Sequence, residues 1–202
     1  MNKAEFFDQS HDDDWASRAY TDDEHHKLNH YLQMAGVGKG QKILEPGCGT
    51  GRFTCKLAEL VGPEGEIVAV DISLKMVEEC QKRAGHFPNV RILQMPVDEI
   101  VYPSAYFDSI FCLCVFPHFD DKTGVLRVFK NILKPSGVLV IAHLQGSRIL
   151  NEMHRKVGGV VKEDRIPPFH EVKKLFENAG FRIDFFRDHD DGYYLLAHFK
   201  YK

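Results

Sequence analysis

A chain of 202 residues holds one sizeable core and is too short for two ordinary domains unless one is only a cap. Hydrophobic residues at 44% and charged residues at 27% form an ordinary globular balance, which excludes a disordered or fibrous chain. A net charge of -3 gives no general attraction to nucleic acid or an anionic membrane; with no bilayer-length apolar run and no basic-then-apolar start, this predicts a cytoplasmic protein without those partners.

Leu28, Tyr31, Leu32 and Ala35 recur at helical spacing and stop at Gly36 and Gly38, predicting a helix that closes an N-terminal helical cap, residues 1–40. From Lys42 a short apolar run is followed by glycines and then by Phe53, Leu57 and Leu60: strand, turn, helix. The unit repeats with a strand at Ile67 to Val70, a helix carrying Val77, Cys80 and Ala84, and a third strand at Val90 to Leu93. Phe107 to Val115 reads as a fourth strand, Val125 to Ile132 as a helix and Gly137 to Leu144 as a fifth strand. Strands alternating with helices imply parallel pairing, right-handed crossovers and helices on both faces, an α/β three-layer sandwich over residues 41–202. After a mixed segment, Gln145 to Ile166, a helix carries Val172, Leu175, Phe176 and Ala179. The connection between the last two strands, Arg187 to Gly192, is too short for a crossover, so Phe181 to Phe186 and Tyr193 to Phe199 must pair as an antiparallel hairpin.

The most informative stretch is Ile43-Leu44-Glu45-Pro46-Gly47-Cys48-Gly49-Thr50-Gly51, between the first strand and its helix. Gly47, Gly49 and Gly51 let the backbone turn sharply and approach a ligand, and the next helix offers unpaired N–H groups. The G-x-G-x-G spacing differs from the G-x-G-x-x-G of dinucleotide sites, and Glu45 would repel a pyrophosphate but attract a cationic amino group. Asp71, ending the second strand, is placed to accept ribose hydroxyls.

These residues resemble the class I S-adenosylmethionine-dependent methyltransferases over roughly Lys42 to Lys202. Glu45 to Gly51 matches their first motif and Val70-Asp71-Ile72-Ser73 their ribose-binding motif; Phe107-Asp108-Ser109-Ile110 and Leu133-Lys134-Pro135-Ser136-Gly137 are also similar. The resemblance implies a Rossmann-like, seven-stranded, mostly parallel sheet with an antiparallel last strand, and S-adenosyl-L-methionine as cofactor. It implies a binding set of Glu45, Gly47, Cys48, Gly49, Thr50, Gly51, Asp71, Ile72, Met76, Val97, Asp98 and Cys114. One departure stands out: where the family often has an acidic residue for the adenine amino group, this chain has Met95-Pro96-Val97. Proline offers neither acceptor nor N–H, so adenine recognition passes to the Val97 N–H or the Asp98 side chain.

Methyl transfer from a sulfonium needs orientation and a dry pocket, with a base only where the acceptor must lose a proton. His118 and His143, near the carboxyl ends of the fourth and fifth strands, are the candidate catalytic residues for a small-molecule acceptor at oxygen, nitrogen or sulfur. For both, a packing role is the competing reading. Segment 145–166 is longer than a usual connection and carries a slight basic excess, which suggests a lid and an anionic acceptor. Eleven histidines are many, yet none falls at a familiar ligand spacing, and no metal is expected. The five cysteines suit packing rather than a disulfide framework, Cys112 and Cys114 sharing one strand face. Phe6, Phe7, Trp15 and Tyr20 are expected to pack the cap down. A non-catalytic cofactor-binding protein is the second reading, and an NAD-dependent oxidoreductase, disfavoured by Glu45 and the glycine spacing, the third.

Overall fold

A computed structural model describes residues 1–200; Tyr201 and Lys202, the end of the expected 41–202 span, lie outside the described residues. Seven strands form one sheet of order β3-β2-β1-β4-β5-β7-β6. They are β1 (Lys42–Pro46), β2 (Glu66–Asp71), β3 (Val90–Gln94), β4 (Phe107–Leu113), β5 (Leu133–His143), β6 (Phe181–His189) and β7 (Gly192–Phe199). Two compact units, Met1–Ile100 and Val101–Lys202, divide the chain.

In the first unit β1 and β2 pair in parallel, as do β2 and β3. The central strand β2 is buried at Ile67, Val68, Ala69 and Val70, whereas β3 is partly exposed and carries Arg91 outward, as an edge strand should. Three helices precede the sheet: α1 (Lys3–Gln9), α2 (Asp14–Ser17) and α3 (Asp22–Met34). The predicted stripe of α3 is buried at Leu28, Tyr31 and Leu32. Its start is fixed by a capping box between Thr21 and Glu24, and Glu24 also takes Arg18 in two hydrogen bonds of 2.7 and 2.6 Å. α4 (Arg52–Val61) buries Phe53, Leu57 and Val61. In α5 (Leu74–Ala84) the buried stripe is Met76, Cys80 and Ala84, with Val77 only half-buried.

In the second unit β4 and β5 are parallel, β5 and β7 antiparallel, and β6 returns antiparallel to β7. The hairpin is as expected, but tighter: His189 pairs with Gly192, so only Asp190 and Asp191 form the turn. β5 starts earlier than its pattern suggested. Leu133 pairs with Phe107, Val138 with Ser109, and the residues between bulge outward, where Pro135 is tolerated. The fourth strand ends earlier than expected, because Cys114 takes a left-handed φ of 57°. Cys114 is exposed while Cys112 is fully buried, so the two do not share a packing face. Helix α6 (Lys122–Ile132) follows β4, and α7 (Ser147–Val157) and α8 (Phe169–Asn178) follow β5. The mixed segment after the fifth strand is thus mainly helical: α7 buries Leu150 and His154 and ends at Gly158, φ 74°. Its basic excess is largely neutralised, Arg148 by Asp190, Lys156 by Glu152 and Arg165 by Glu171. That removes the electrostatic argument for an anionic acceptor. Among the described residues no helix is long and apolar enough to cross a membrane.

Candidate active site

The glycine turn between β1 and α4 uses its three glycines for three purposes. Gly47, φ 66°, and Cys48 direct their N–H groups to the Val70 carbonyl at 2.7 and 3.1 Å, which ties the turn to β2. Gly49, φ 52°, has no atom within 4 Å of where a Cβ would stand, an open approach for a ligand. Gly51, φ 82°, is closed in: a Cβ there would lie 2.8 Å from Cys80 Sγ and 3.0 Å from its Cα. Gly51 is therefore a packing glycine, letting α4 approach α5.

Asp71 joins the turn to the start of α5. Its Oδ2 accepts the Gly49 N–H at 2.9 Å and its Oδ1 the Ser73 N–H at 3.0 Å. A carboxylate has about four lone-pair positions, so these bonds orient the group and leave acceptor capacity. Ser73 caps α5 by accepting the Met76 N–H at 3.1 Å, and its hydroxyl donates to Asp8 of α1 at 2.6 Å. Ile72 is half-buried and Met76 buried. Past β3, Met95 donates its N–H to the Asp71 carbonyl at 2.9 Å, and Pro96 leads into one turn of 3-10 helix, Val97–Glu99, with Val97 buried and Asp98 exposed.

Glu45 is the electrostatic centre of this unit. Only 2% exposed, it is pushed well above the usual carboxylate range, first by burial and then by Cys80 and Asp71, with a Thr54 hydrogen bond opposing. Its Oε2 is buried without a hydrogen-bond partner among the described residues. Such a group favours a cation that arrives with its own donors.

The side chains of Thr50 and Cys48 turn into the fold. The Thr50 hydroxyl donates to the Ala16 carbonyl at 2.6 Å, and the Cys48 thiol is buried. Arg52 completes the grip on the N-terminal segment, donating to the carbonyls of Arg18 at 2.9 Å and Trp15 at 2.7 Å while lying 4.4 Å from the Tyr20 ring centre. Polar contacts thus anchor the cap where aromatic packing was expected; Trp15 is 51% exposed. Asp8, Ser73 and Arg52 escaped sequence reasoning, although Ser73 lay inside a quoted motif.

In the second unit, His118 ends a one-turn 3-10 helix, Phe116–His118, just past β4. Its Nδ1 lies 2.7 Å from Asp164 Oδ2, and its ring centre 4.9 Å from that of His154. His143, ending β5, is 1% exposed; burial, helped by His118 and His154, pushes its imidazole down to about 3. A group of such low basicity is neutral near pH 7 and a weak proton acceptor. Tyr193 stands in register with His143 on β7, its ring centre 6.0 Å away and edge-on. Asp164 and His154 carried no local signal. Cys114, exposed at the end of β4, holds one of two non-glycine left-handed conformations among the described residues, the other being Ala105.

A parallel sheet closed by an antiparallel hairpin, with a glycine turn after β1 and acidic residues ending β1 and β2, defines the class I S-adenosylmethionine-dependent methyltransferases. Residues 38–188 match a family model described as a methyltransferase domain, and the chain belongs to this family of enzymes. It is 35% identical over 176 residues to the ubiquinone/menaquinone biosynthesis C-methyltransferase UbiE of Proteus mirabilis, covering 74% of this chain and 70% of that protein. Against the UbiE protein of Pasteurella multocida the identity is 30% over 175 residues, covering 74% of this chain; the chain spans 65% of that relative's length. The crystal structure of a SAM-dependent methyltransferase from Aquifex aeolicus superposes with a TM-score of 0.72 over 98% of both chains at 22% identity, a likeness of fold. Membership sets aside the oxidoreductase as a reading of this chain.

Proposed function

We propose that this chain binds S-adenosylmethionine in its first unit and transfers the methyl group to a small-molecule acceptor, at oxygen, nitrogen or sulfur, rather than to nucleic acid or at a membrane. The observation that carries the reading is the buried Glu45 carboxyl with an unpartnered oxygen, beside a glycine turn left open at Gly49. These residues fit the cofactor: Glu45 suits its cationic amino group, Gly49 the close passage of its chain, and Asp71 its ribose hydroxyls. Ile72 and Met76 would give the nucleoside apolar support, and Val97 and Asp98 the adenine edge. When bound, the cofactor supplies a methyl group already activated on a sulfonium, which the acceptor displaces in line.

The chain's own contribution is to orient, to exclude water and to accept a proton. His118 is the proton acceptor of this reading, because it is partly accessible and paired to a carboxylate, whereas His143 is buried and weakly basic. The UbiE relatives are named as C-methyltransferases, and they favour carbon as a second acceptor atom. Incubation with methyl-labelled S-adenosylmethionine and a metabolite library tests the proposal. Labelled small-molecule product is expected, and label appearing only in RNA or DNA would overturn it.

A further inference from the structure

We propose that Pro96 is a specificity-determining residue: at the end of β3 it leaves the 6-amino group of the cofactor's base without a buried acceptor, so the site takes nucleosides lacking that group as readily as adenosyl ones. The inference rests on the reading of the first unit as the cofactor site.

The sheet itself orders such a ligand. Glu45 lies on β1 and Asp71 on β2, in the strand order β3-β2-β1; Glu45 is in register with Ala69, and Asp71 with Gln94 of β3. A ligand whose amino group meets Glu45 and whose ribose hydroxyls meet Asp71 therefore runs from β1 toward β3. Its base, joined to the same sugar ring, falls at the end of β3. Met95 ties that corner to the ribose end, giving its N–H to the Asp71 carbonyl at 2.9 Å.

An exocyclic amino group is a donor and needs an acceptor. Pro96, at φ -63° and ψ 141°, has neither a side-chain acceptor nor an N–H. Its carbonyl accepts the Glu99 N–H at 3.2 Å, and the Val97 carbonyl accepts the Ile100 N–H at 3.3 Å, so both serve the local turn. The Val97 N–H is itself a donor: it suits a ring nitrogen and cannot receive an amino hydrogen. The side-chain acceptors of the corner, Gln94, Asp98 and Glu99, are all exposed. There a bond to the base only replaces bonds to water, with little net gain.

What the corner offers instead is accessible apolar surface. Ile72 past β2, and Met95 and Pro96 past β3, are each only half-buried. Contact of that kind holds a purine through its apolar area, which hardly changes when one amino group is removed. Affinity for the base then comes from burial, and the 6-position goes unread.

The test is titration calorimetry of S-adenosylhomocysteine against its 6-deamino analogue, which keeps every ring nitrogen. The two are expected to bind the unaltered protein within about threefold of each other, with the same ratio in Asp98→Ala. Pro96→Asp, which sets a carboxylate at the corner, is expected to favour the amino-bearing ligand by more than that. A larger loss for the deamino analogue in the unaltered protein overturns the inference without any variant; where Asp98→Ala abolishes that loss, Asp98 is the group that reads the base. A folded Pro96→Asp protein that still binds the two ligands alike overturns the role given to Pro96. Failure of both ligands to bind the unaltered protein defeats the cofactor reading itself and the inference with it, a result distinct from unequal binding.

Discussion

Replacing Glu45 with Gln should move stability and affinity in opposite directions. Burial holds the Glu45 carboxyl well above its ordinary 4.5, so its ionisation opposes the ligand-free fold. The sign is that of a raised acid: the wild-type fold is favoured below the unfolded-state pKa and loses ground as pH rises toward the folded-state value. Gln cannot ionise, so ligand-free Glu45→Gln should equal wild type near pH 4.5 and exceed it by about 1 to 2 kcal/mol near pH 8, the scale of an unsatisfied buried polar group. Binding runs the other way. A cationic amino group that meets an amide instead of a carboxylate loses about 2 to 3 kcal/mol, roughly 30- to 150-fold in Kd. Calorimetry with S-adenosylhomocysteine, which keeps that amino group, in two buffers of different ionisation heat should show proton release on binding to wild type and none in the variant. Equal affinity and equal proton release in both proteins would refute the role given to Glu45.

The two glycines of the turn should separate. Gly49→Ala, in open space at φ 52°, should cost about 1 to 2 kcal/mol of stability but most of the cofactor affinity, whereas Gly51→Ala meets Cys80 and should cost stability first, about 2 to 4 kcal/mol in urea unfolding. A Gly51→Ala protein as stable as wild type would contradict the packing assigned to it. Asp71→Asn keeps one acceptor but cannot take both the Gly49 and Ser73 N–H groups on carboxylate oxygens, so S-adenosylhomocysteine should bind about 1 to 3 kcal/mol more weakly. Unchanged affinity by titration calorimetry would remove Asp71 from the site. Glu24 is held down to about 2 from the ordinary 4.5, chiefly by Arg18, which bounds its contribution at about 3 kcal/mol; screening at the one-third exposed Arg18 lowers this to about 1 to 2. That stability is present above pH 4.5 and lost as pH falls toward 2, so denaturant curves of wild type and Glu24→Gln should converge over that range.

The succession of strands and helices, the closing hairpin and the motif positions of Glu45 and Asp71 were legible because they depend on local pattern: apolar runs, glycine spacing, and a connection too short for a crossover. What was hidden depends on partners far apart in the chain. Nothing local in the sequence shows that the Thr50 hydroxyl reaches Ala16, and Asp8 has no local trace of its bond to Ser73. Asp164 is 46 residues from His118, a distance at which hydrophobic periodicity carries no information about polar pairing. α7 escaped because His154 occupies its buried stripe, where a reading by hydrophobicity looks for an apolar residue. The end of β4 was misplaced because an apolar pattern does not reveal the left-handed turn at Cys114.

The N-terminal segment grips both halves of the proposed cofactor site: Asp8 takes Ser73 and the Lys75 N–H, while the backbone carbonyls of Trp15, Ala16 and Arg18 take Arg52 and Thr50. Loops fixed in this way need less ordering when a ligand arrives, so part of the entropy cost of recognition is met during folding. On the proposed reading, affinity for the cofactor is written partly in residues that carry no binding motif, and drift in that segment would tune it without altering a single motif residue.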